Sequence, residues 1–277
     1  MCDDTVCATY MWRDYLGTEM CVDQGTLFLR VPEGAGYLYT VPLGKDLRAA
    51  LQAIMKLPHQ KNSVGFYPVL SEELGLYAEL FRNTEIVAKQ DWYDYIYLCE
   101  NLAKLSGKKY HTQKNHVNQF LASYPDWELV SLTQDRIADV VRFEEKYISG
   151  LADARPMELE ENYRTLEVLK NFDRFDLTGF VLYANQEVIA YELGEVLRDT
   201  FYAHIEKADR TIRGAYTMIV HEVAKTLLSR GLSYINREED VGDPGLRYSK
   251  RQYRPVKLAI KHRVYVKEEE TWQNEDR

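Results

Sequence analysis

From Thr178 to Ala208 the chain carries three β-patterned runs, TGFVLY, VIAYELGEVL and TFYAHIEKA, set apart by turns at Asn185-Gln186 and Arg198-Asp199. Turns that short join antiparallel neighbours, so the runs predict a three-stranded meander. The period then changes. In RTIRGAYTMIVHEVAKTLLSRG the residues Ala215, Met218, Ile219, Val223 and Leu227 form one apolar stripe, and Gly231 is placed to end the helix.

The flanking segments extend this pattern. DRIADVVRFEEKYI and NYRTLEVLKNFDRF read as helices before the meander. After the long helix come LSYIN as a short buried strand, Leu246 to Gln252 as a short helix, and VKLAIKHRVYV as a closing strand or strand pair. The order helix, helix, three strands, helix, strand, helix, strand is the one expected of an N-acetyltransferase-like (GNAT) fold. Upstream, TLFLRV, GYLYTVPL and VGFYPV read as strands, KDLRAALQAIMKL and EELGLYAELF as helices, and DWYDYIYL has β-type composition. ENLAKLSGKKYHTQKNHVNQFLASY reads as two helices around a Gly-Lys-Lys interruption. Pro125 in SYPDW stops the second of them, which predicts a boundary between domains 1–124 and 125–277.

A chain of 277 residues with 45% hydrophobic residues can bury a full core in one large domain or two small ones. No run of about 18 apolar residues predicts a membrane span. MCDDTVCATYMW lacks the basic and apolar regions of a secretory signal, so a cytoplasmic location is expected. Cys2, Cys7, Cys21 and Cys99 show no paired spacing, and His111, His116, His221 and His262 none either, so no metal is expected. The acidic tail 268–277 is expected to fray. The formal net charge of −8 argues against general nucleic-acid binding. Yet from Pro244 to Lys267 there are eight basic residues and no carboxylate. That segment is either a local anion site or a solvated face.

Candidate chemistry clusters around the strand–helix junction HIEKADRTIRGAY. Free N–H groups and the helix dipole favour an anion at a helix start. Arg210 and Arg213 stand beside it, Gly214 permits close approach to the backbone, and Ala215 begins the helix. In acyl-CoA-dependent acetyltransferases the junction reads Arg/Gln-x-x-Gly-x-Gly/Ala; here Arg210 and Ala215 match, and Gly214 falls one place late. A solvated arginine pair at a helix cap is the alternative. His204 and Glu206 lie two apart on the preceding strand, so alternation puts them on one side. Either is a candidate base, against a buried structural role. Asn236 to Asp240 should emerge at the end of the LSYIN strand, with Arg247 and Lys250 following the Asp243-Pro244-Gly245 turn. Glu238 and Asp240 could bind a cationic amine. A second basic stretch, Lys108, Lys109, Lys114, Asn115 and His116, could contact phosphates, with Tyr110 stacking on a base.

YINREEDVGDPGLRYSKRQYRPVKL resembles the signature of the phosphatidylglycerol lysyltransferase C-terminal domain family, a relative of the Fem-type aminoacyltransferases. DWYDYIYLCENLAKLSGKKYHTQKNHVNQF and HIEKADRTIRGAY support the resemblance, which covers most of Asp91 to Val266. It implies an α+β fold of two GNAT-like domains in tandem, with mixed sheets. The first ninety residues match less well, and Cys2–Arg13 resembles a segment normally preceded by a strand and a helix. A divergent first domain lacking its first elements is therefore expected. The family transfers an acyl or aminoacyl group from a phosphate-bearing donor, acyl-CoA or aminoacyl-tRNA, to an amine or hydroxyl. Membrane-lipid members carry a transmembrane part upstream. On this reading Arg210, Arg213, Gly214 and Ala215 hold the donor phosphates. Asn236, Arg237, Glu238, Asp240, Arg247 and Lys250 form the acceptor side. His204, Glu206 and Tyr253 are the catalytic candidates, Tyr253 because many GNAT enzymes place an acidic tyrosine after the corresponding helix. Two other classes stay open: a GNAT-fold binding module without catalysis, and an RNA-binding protein using its two basic stretches.

Overall fold

In chain order the structure, a computed structural model, forms α1 (Val6–Leu16), β1 (Glu19–Asp23), β2 (Thr26–Glu33), β3 (Gly36–Tyr39), α2 (Leu47–Met55), β4 (Ser63–Leu70), α3 (Leu74–Leu80) and β5 (Thr84–Ala88). Then come β6 (Asp94–Leu98), α4 (Cys99–Lys104), α5 (His111–Ser123), β7 (Glu128–Ser131), α6 (Ile137–Ser149) and α7 (Pro156–Lys170). The meander is β8 (Thr178–Ala184), β9 (Glu187–Leu197) and β10 (Thr200–Ala208). The chain continues through α8 (Ala215–Ser229), β11 (Tyr234–Asn236), α9 (Pro244–Gln252), β12 (Lys257–Ala259) and β13 (Lys261–Lys267). The described residues are 3, 5–34, 36–57, 63–151 and 155–267. Cys2 and the acidic tail 268–277 lie outside them. Among the described residues no helix is long and apolar enough to cross a membrane.

The architecture is α+β with two mixed sheets, one in each of two compact units. The smaller unit comprises Trp12–Tyr93 and the chain from Ala259 onward. Its sheet has the order β1-β2-β3-β4-β13-β5, so β13 sits between β4 and β5 and pairs antiparallel with both. Phe66, Tyr77, Phe81 and Val264 anchor its core, with Phe66 and Phe81 stacked 6.0 Å apart.

The larger unit comprises Met1–Met11 and Asp94–Leu258. Its sheet has the order β12-β6-β11-β10-β9-β8-β7. The units thus do not divide at 124/125 as the proline hinge suggests. Asp94–Leu98 pairs antiparallel with Tyr234–Asn236, and α4 and α5 bury Leu102 and Phe120 in the core that contains α8. Strand pairing, not the helix-stopping proline, decides which residues fold together. On α8 the predicted stripe Ala215, Met218, Ile219, Val223 and Leu227 is buried throughout, packed with Phe180, Leu182, Phe201 and Ile235.

Two irregularities in the pairing of β10 set the positions of its side chains. The parallel pairing of β10 with β11 covers only Thr200–Tyr202 against Tyr234–Asn236, after which the strands part. The antiparallel pairing of β10 with β9 slips by one between Ala203 and Ile205. Gly194 makes this bulge possible. A Cβ there would stand 1.9 Å from the Tyr202 carbonyl oxygen and 2.8 Å from the Phe201 ring. We expect Gly194→Ala to cost at least the roughly 1–3 kcal/mol of an overpacked core site, read from the urea midpoint. An unchanged midpoint would mean that β9 yields there freely.

Candidate functional site

The bulge adds one residue to β10 and so reverses the alternation beyond it. His204 and Glu206, expected on one side, end on opposite faces. Glu206 lies in register with Glu192 of β9, whereas His204 bonds Glu195, three residues along β9 and hence on its other face. His204 is held at both ring nitrogens. Nε2 is 2.9 Å from Glu195 Oε2 and 3.3 Å from Thr5 Oγ1, and Nδ1 is 2.7 Å from Glu238 Oε1. Burial pulls the imidazole pKa down, but the two carboxylates outweigh it and raise it to about 9. Glu195 also accepts the N–H groups of Val6 and Cys7 at the start of α1. His204 is therefore an imidazolium at neutral pH, with no lone pair to take a proton. Its two carboxylate partners fit the buried structural role better than that of a general base.

On the other face a second cluster forms where β10 and β11 part. Arg237 grips Glu206 with two hydrogen bonds, Nη2 to Oε1 at 2.6 Å and Nε to Oε2 at 3.0 Å. The guanidinium lies 4.7 Å from the Tyr253 ring centroid and 5.5 Å from that of Tyr97. Burial opposes its charge, but Glu206 overrides this and the Arg237 pKa is raised. Tyr253 donates to Thr217 Oγ1 at 3.2 Å, and burial raises its pKa too. The structure thus places Glu206 and Tyr253, two of the catalytic candidates, around Arg237, which the sequence reading sets on the acceptor side. Glu192 joins them unforeseen. It is buried, and its pKa is raised well above the usual carboxylate range, by burial first and then by Glu206, with Arg237 opposing. A signal for it exists: Glu192 and Glu195 interrupt an otherwise apolar strand run.

The acidic-to-basic stretch folds back on itself. Asp240 is fully buried and accepts from Arg247 Nη2 at 2.6 Å, Arg247 Nε at 2.8 Å, Tyr95 Oη at 2.6 Å and the Gly242 N–H at 3.0 Å. Lys250, also buried, donates to the carbonyls of Glu239, at 2.5 Å, and of Arg237. Burial lowers its pKa. Asn236 donates to Asp94 at 2.9 Å and accepts the Glu238 N–H at 2.8 Å. So Asn236, Asp240, Arg247 and Lys250 bind one another and the main chain, and Glu238 binds His204. Asp240 and Glu238 are not left to meet an amine, because internal cations already occupy them.

At the start of α8 the α5 backbone packs against Gly214. Gly214 has φ +89°, and a Cβ there would lie 2.7 Å from the His116 carbonyl of α5. What approaches this glycine is the α5 backbone. Ala215 is fully buried, with its N–H on the Ile212 carbonyl. Arg210 is exposed and donates to Tyr147 Oη at 2.8 Å; Arg213 is exposed. The two basic stretches, by contrast, meet. Gln113 donates to the Gln252 carbonyl at 3.1 Å and Tyr110 to the Tyr253 carbonyl at 3.4 Å, joining the start of α5 to the end of α9. Lys108, Lys109, Lys114, Arg251 and Arg254 are exposed there. Tyr110 is buried beneath them, so it cannot stack on a base. Among the described residues no group of His, Cys, Asp and Glu is arranged to hold a metal ion.

Residues 1–265 match the family described as phosphatidylglycerol lysyltransferase, C-terminal, and the chain belongs to that family. A conserved protein of unknown function from Bacteroides thetaiotaomicron is 31% identical, with a TM-score of 0.84 over 96% of this chain and 91% of that one. L-PGS from Bacillus licheniformis superposes with a TM-score of 0.65 at 13% identity, over 92% of this chain and 85% of that one. FemX does so with a TM-score of 0.59 at 9% identity, over 96% and 92%. These last two share the fold, α+β with mixed sheets. An uncharacterized protein of Mycoplasmoides gallisepticum is 23% identical over 177 residues, 62% of this chain. The chain spans 56% of that relative's length.

The charged His204 sets a pH dependence. Its folded pKa, about 9, lies above the ordinary histidine value of about 6.5. Its stabilisation is complete below about pH 6.5 and lost as the pH rises through about 9. Thermal melts across this window should show a decline that His204→Gln lacks. The variant should be less stable by about 3 kcal/mol at the acid end, where buried Glu195 and partly exposed Glu238 lose their shared cation. A variant with the parent's profile would mean that His204 is neutral in the folded protein.

Proposed function

We propose that this chain moves an aminoacyl or acyl group from a phosphate-bearing donor to an amine or hydroxyl acceptor, with aminoacyl-tRNA as the donor. The family description names lysyl transfer, and FemX and L-PGS share the fold. The observation that carries the choice of donor is the joined basic face. Five exposed cations stand on the α5 region and the end of α9 with the residues after it, two segments that two hydrogen bonds join beside Tyr253, whose ring packs under Arg237. A polyanionic RNA matches such a face, since phosphate contacts supply affinity and orientation. At the helix start where the sequence suggests acyl-CoA, Gly214 lies against the His116 carbonyl of α5 and the Ala215 N–H is already bonded to the Ile212 carbonyl. This disfavours acyl-CoA.

In the reaction the acceptor nitrogen or oxygen bonds to the donor carbonyl carbon. The bond from that carbon to the ribose oxygen breaks, and the acceptor's proton leaves with the ribose. The Arg237–Glu206–Tyr253 cluster is the centre nearest to the basic face with groups suited to a developing charge.

Filter binding of aminoacyl-tRNA over a salt series tests the donor. Wild type should show a steep salt dependence. Lys109→Glu with Arg254→Glu should weaken binding and reduce the slope by about one for each phosphate no longer neutralised, with an unchanged melting temperature. Binding that ignores both salt and charge reversal would overturn an RNA donor. Mass spectrometry of candidate amine acceptors, after incubation with charged tRNA, then tests transfer itself.

A further inference from the structure

Two buried polar atoms without partners stand where β10 and β11 part: Arg237 Nη1 and Glu192 Oε2. Native structures keep few such atoms, because a buried polar group is costly when its hydrogen bond is not made. These two share one neighbourhood. Glu192 lies directly opposite Glu206 in the sheet, and Glu206 holds Arg237 through both its oxygens. The charges that act on Glu192 are those of Glu206 and Arg237.

Their chemistry is alike. A guanidinium nitrogen only donates. Glu192 has no cation of its own and a carboxylate directly opposite. Burial and Glu206 push its pKa well above the usual carboxylate range, which favours the acid form, and as the acid it too has a proton to give. Two donors without acceptors suit a single oxygen, and a water or a ligand carbonyl would supply one. The aromatic rings of Tyr97 and Tyr253 flank the guanidinium and limit competing water.

We propose that Glu192 and Arg237 form a two-donor seat for the carbonyl oxygen of the donor's activated ester, which makes Glu192 a catalytic residue that sequence spacing does not reveal. This rests on the transferase reading above. As the acceptor bonds to the carbonyl carbon, charge gathers on the seated oxygen, and the two hydrogen bonds tighten. When the carbon–oxygen bond to the ribose breaks, the carbonyl re-forms. Glu192 keeps its proton throughout; the proton that leaves with the ribose is the acceptor's. An acyl thioester presents the same carbonyl, so the seat alone does not choose between an ester and a thioester.

The test uses the full chain as wild type, Glu192→Gln and Glu192→Leu, each checked by circular dichroism and melting. One arm titrates lysyl-tRNA labelled with ¹³C at the ester carbonyl; the other titrates acetyl-CoA labelled at its thioester carbonyl. With the true donor class, the bound carbonyl resonance should move downfield in wild type. It should stay displaced in Glu192→Gln, whose amide still donates, and move part of the way back toward the free position in Glu192→Leu, where Arg237 alone donates. Affinity should change less than about threefold, because phosphate contacts dominate it. A bound donor with no displacement in wild type, or with the same displacement in the leucine variant, overturns the seat and leaves the donor assignment standing. Binding on neither arm overturns the transferase reading and the seat with it. Infrared difference spectra of wild type against Glu192→Gln give a check that does not depend on the leucine variant. A protonated carboxyl band at neutral pH is expected, and its absence would show an ionised Glu192 that cannot donate.

Discussion

The side-by-side run of β10 and β11 lasts three residues, and an ion pair occupies the place where it ends. Arg237 crosses from the end of β11 to Glu206 on β10 with both side chains nearly buried. Burying two charges is expensive, and apolar residues of similar volume often serve stability as well or better. This pair recovers part of the cost through two hydrogen bonds and two aromatic faces. It leaves another part unrecovered in the unpaired Nη1 and the buried Glu192 beside it, whose Oε2 has no partner either. A purely structural plug would have little reason to keep either.

The placement of Arg237 depends in turn on the loop after it. Lys250 draws in the carbonyls of Arg237 and Glu239 from one direction, while the Tyr95 N–H takes the Glu238 carbonyl. Asp240 closes the loop on Arg247 and Tyr95. Pinned at three successive carbonyls, the chain holds Glu238 at φ +57°, a conformation that few side chains adopt unaided. The consequence is a division of labour between neighbours. Arg237 turns to the Glu206 face, and Glu238 to His204 on the other. The Asn236–Lys250 motif thus works as a clasp that aims two adjacent side chains at two separate charge centres. The second centre ties β9, β10 and the start of α1 together through Glu195.

Much of this is legible in the sequence, for reasons that also explain the failures. The meander and α8 declare themselves because their periods, two and 3.6, persist over many residues. The element order and the Asn-Arg-Glu signature point to the fold. The bulge leaves no mark, since one extra residue inside an alternating run changes no composition. Spacing therefore places His204 with Glu206 when only one of them faces the Arg237 cluster. The exchange of β6 and β13 between the units is equally silent, because a short strand does not encode which neighbour it pairs with. Gly214 does mark a point of close approach, but a glycine does not say whether a ligand or another helix will come near. Asp240 and Lys250 are legible as a cluster and not in their role, because an ion pair closed within a loop has the same composition as an open charged cleft.

Net charge is a poor guide to what such a molecule can approach. At physiological salt, exposed charges are screened beyond about 8 Å, so an incoming phosphate responds to the cations immediately before it and little to a total of −8. Those cations stand on packed elements. Gln113 and Tyr110, both buried, tie the α5 start to the main chain at the end of α9. The face is therefore held in shape before any partner arrives, which lowers the ordering cost of binding.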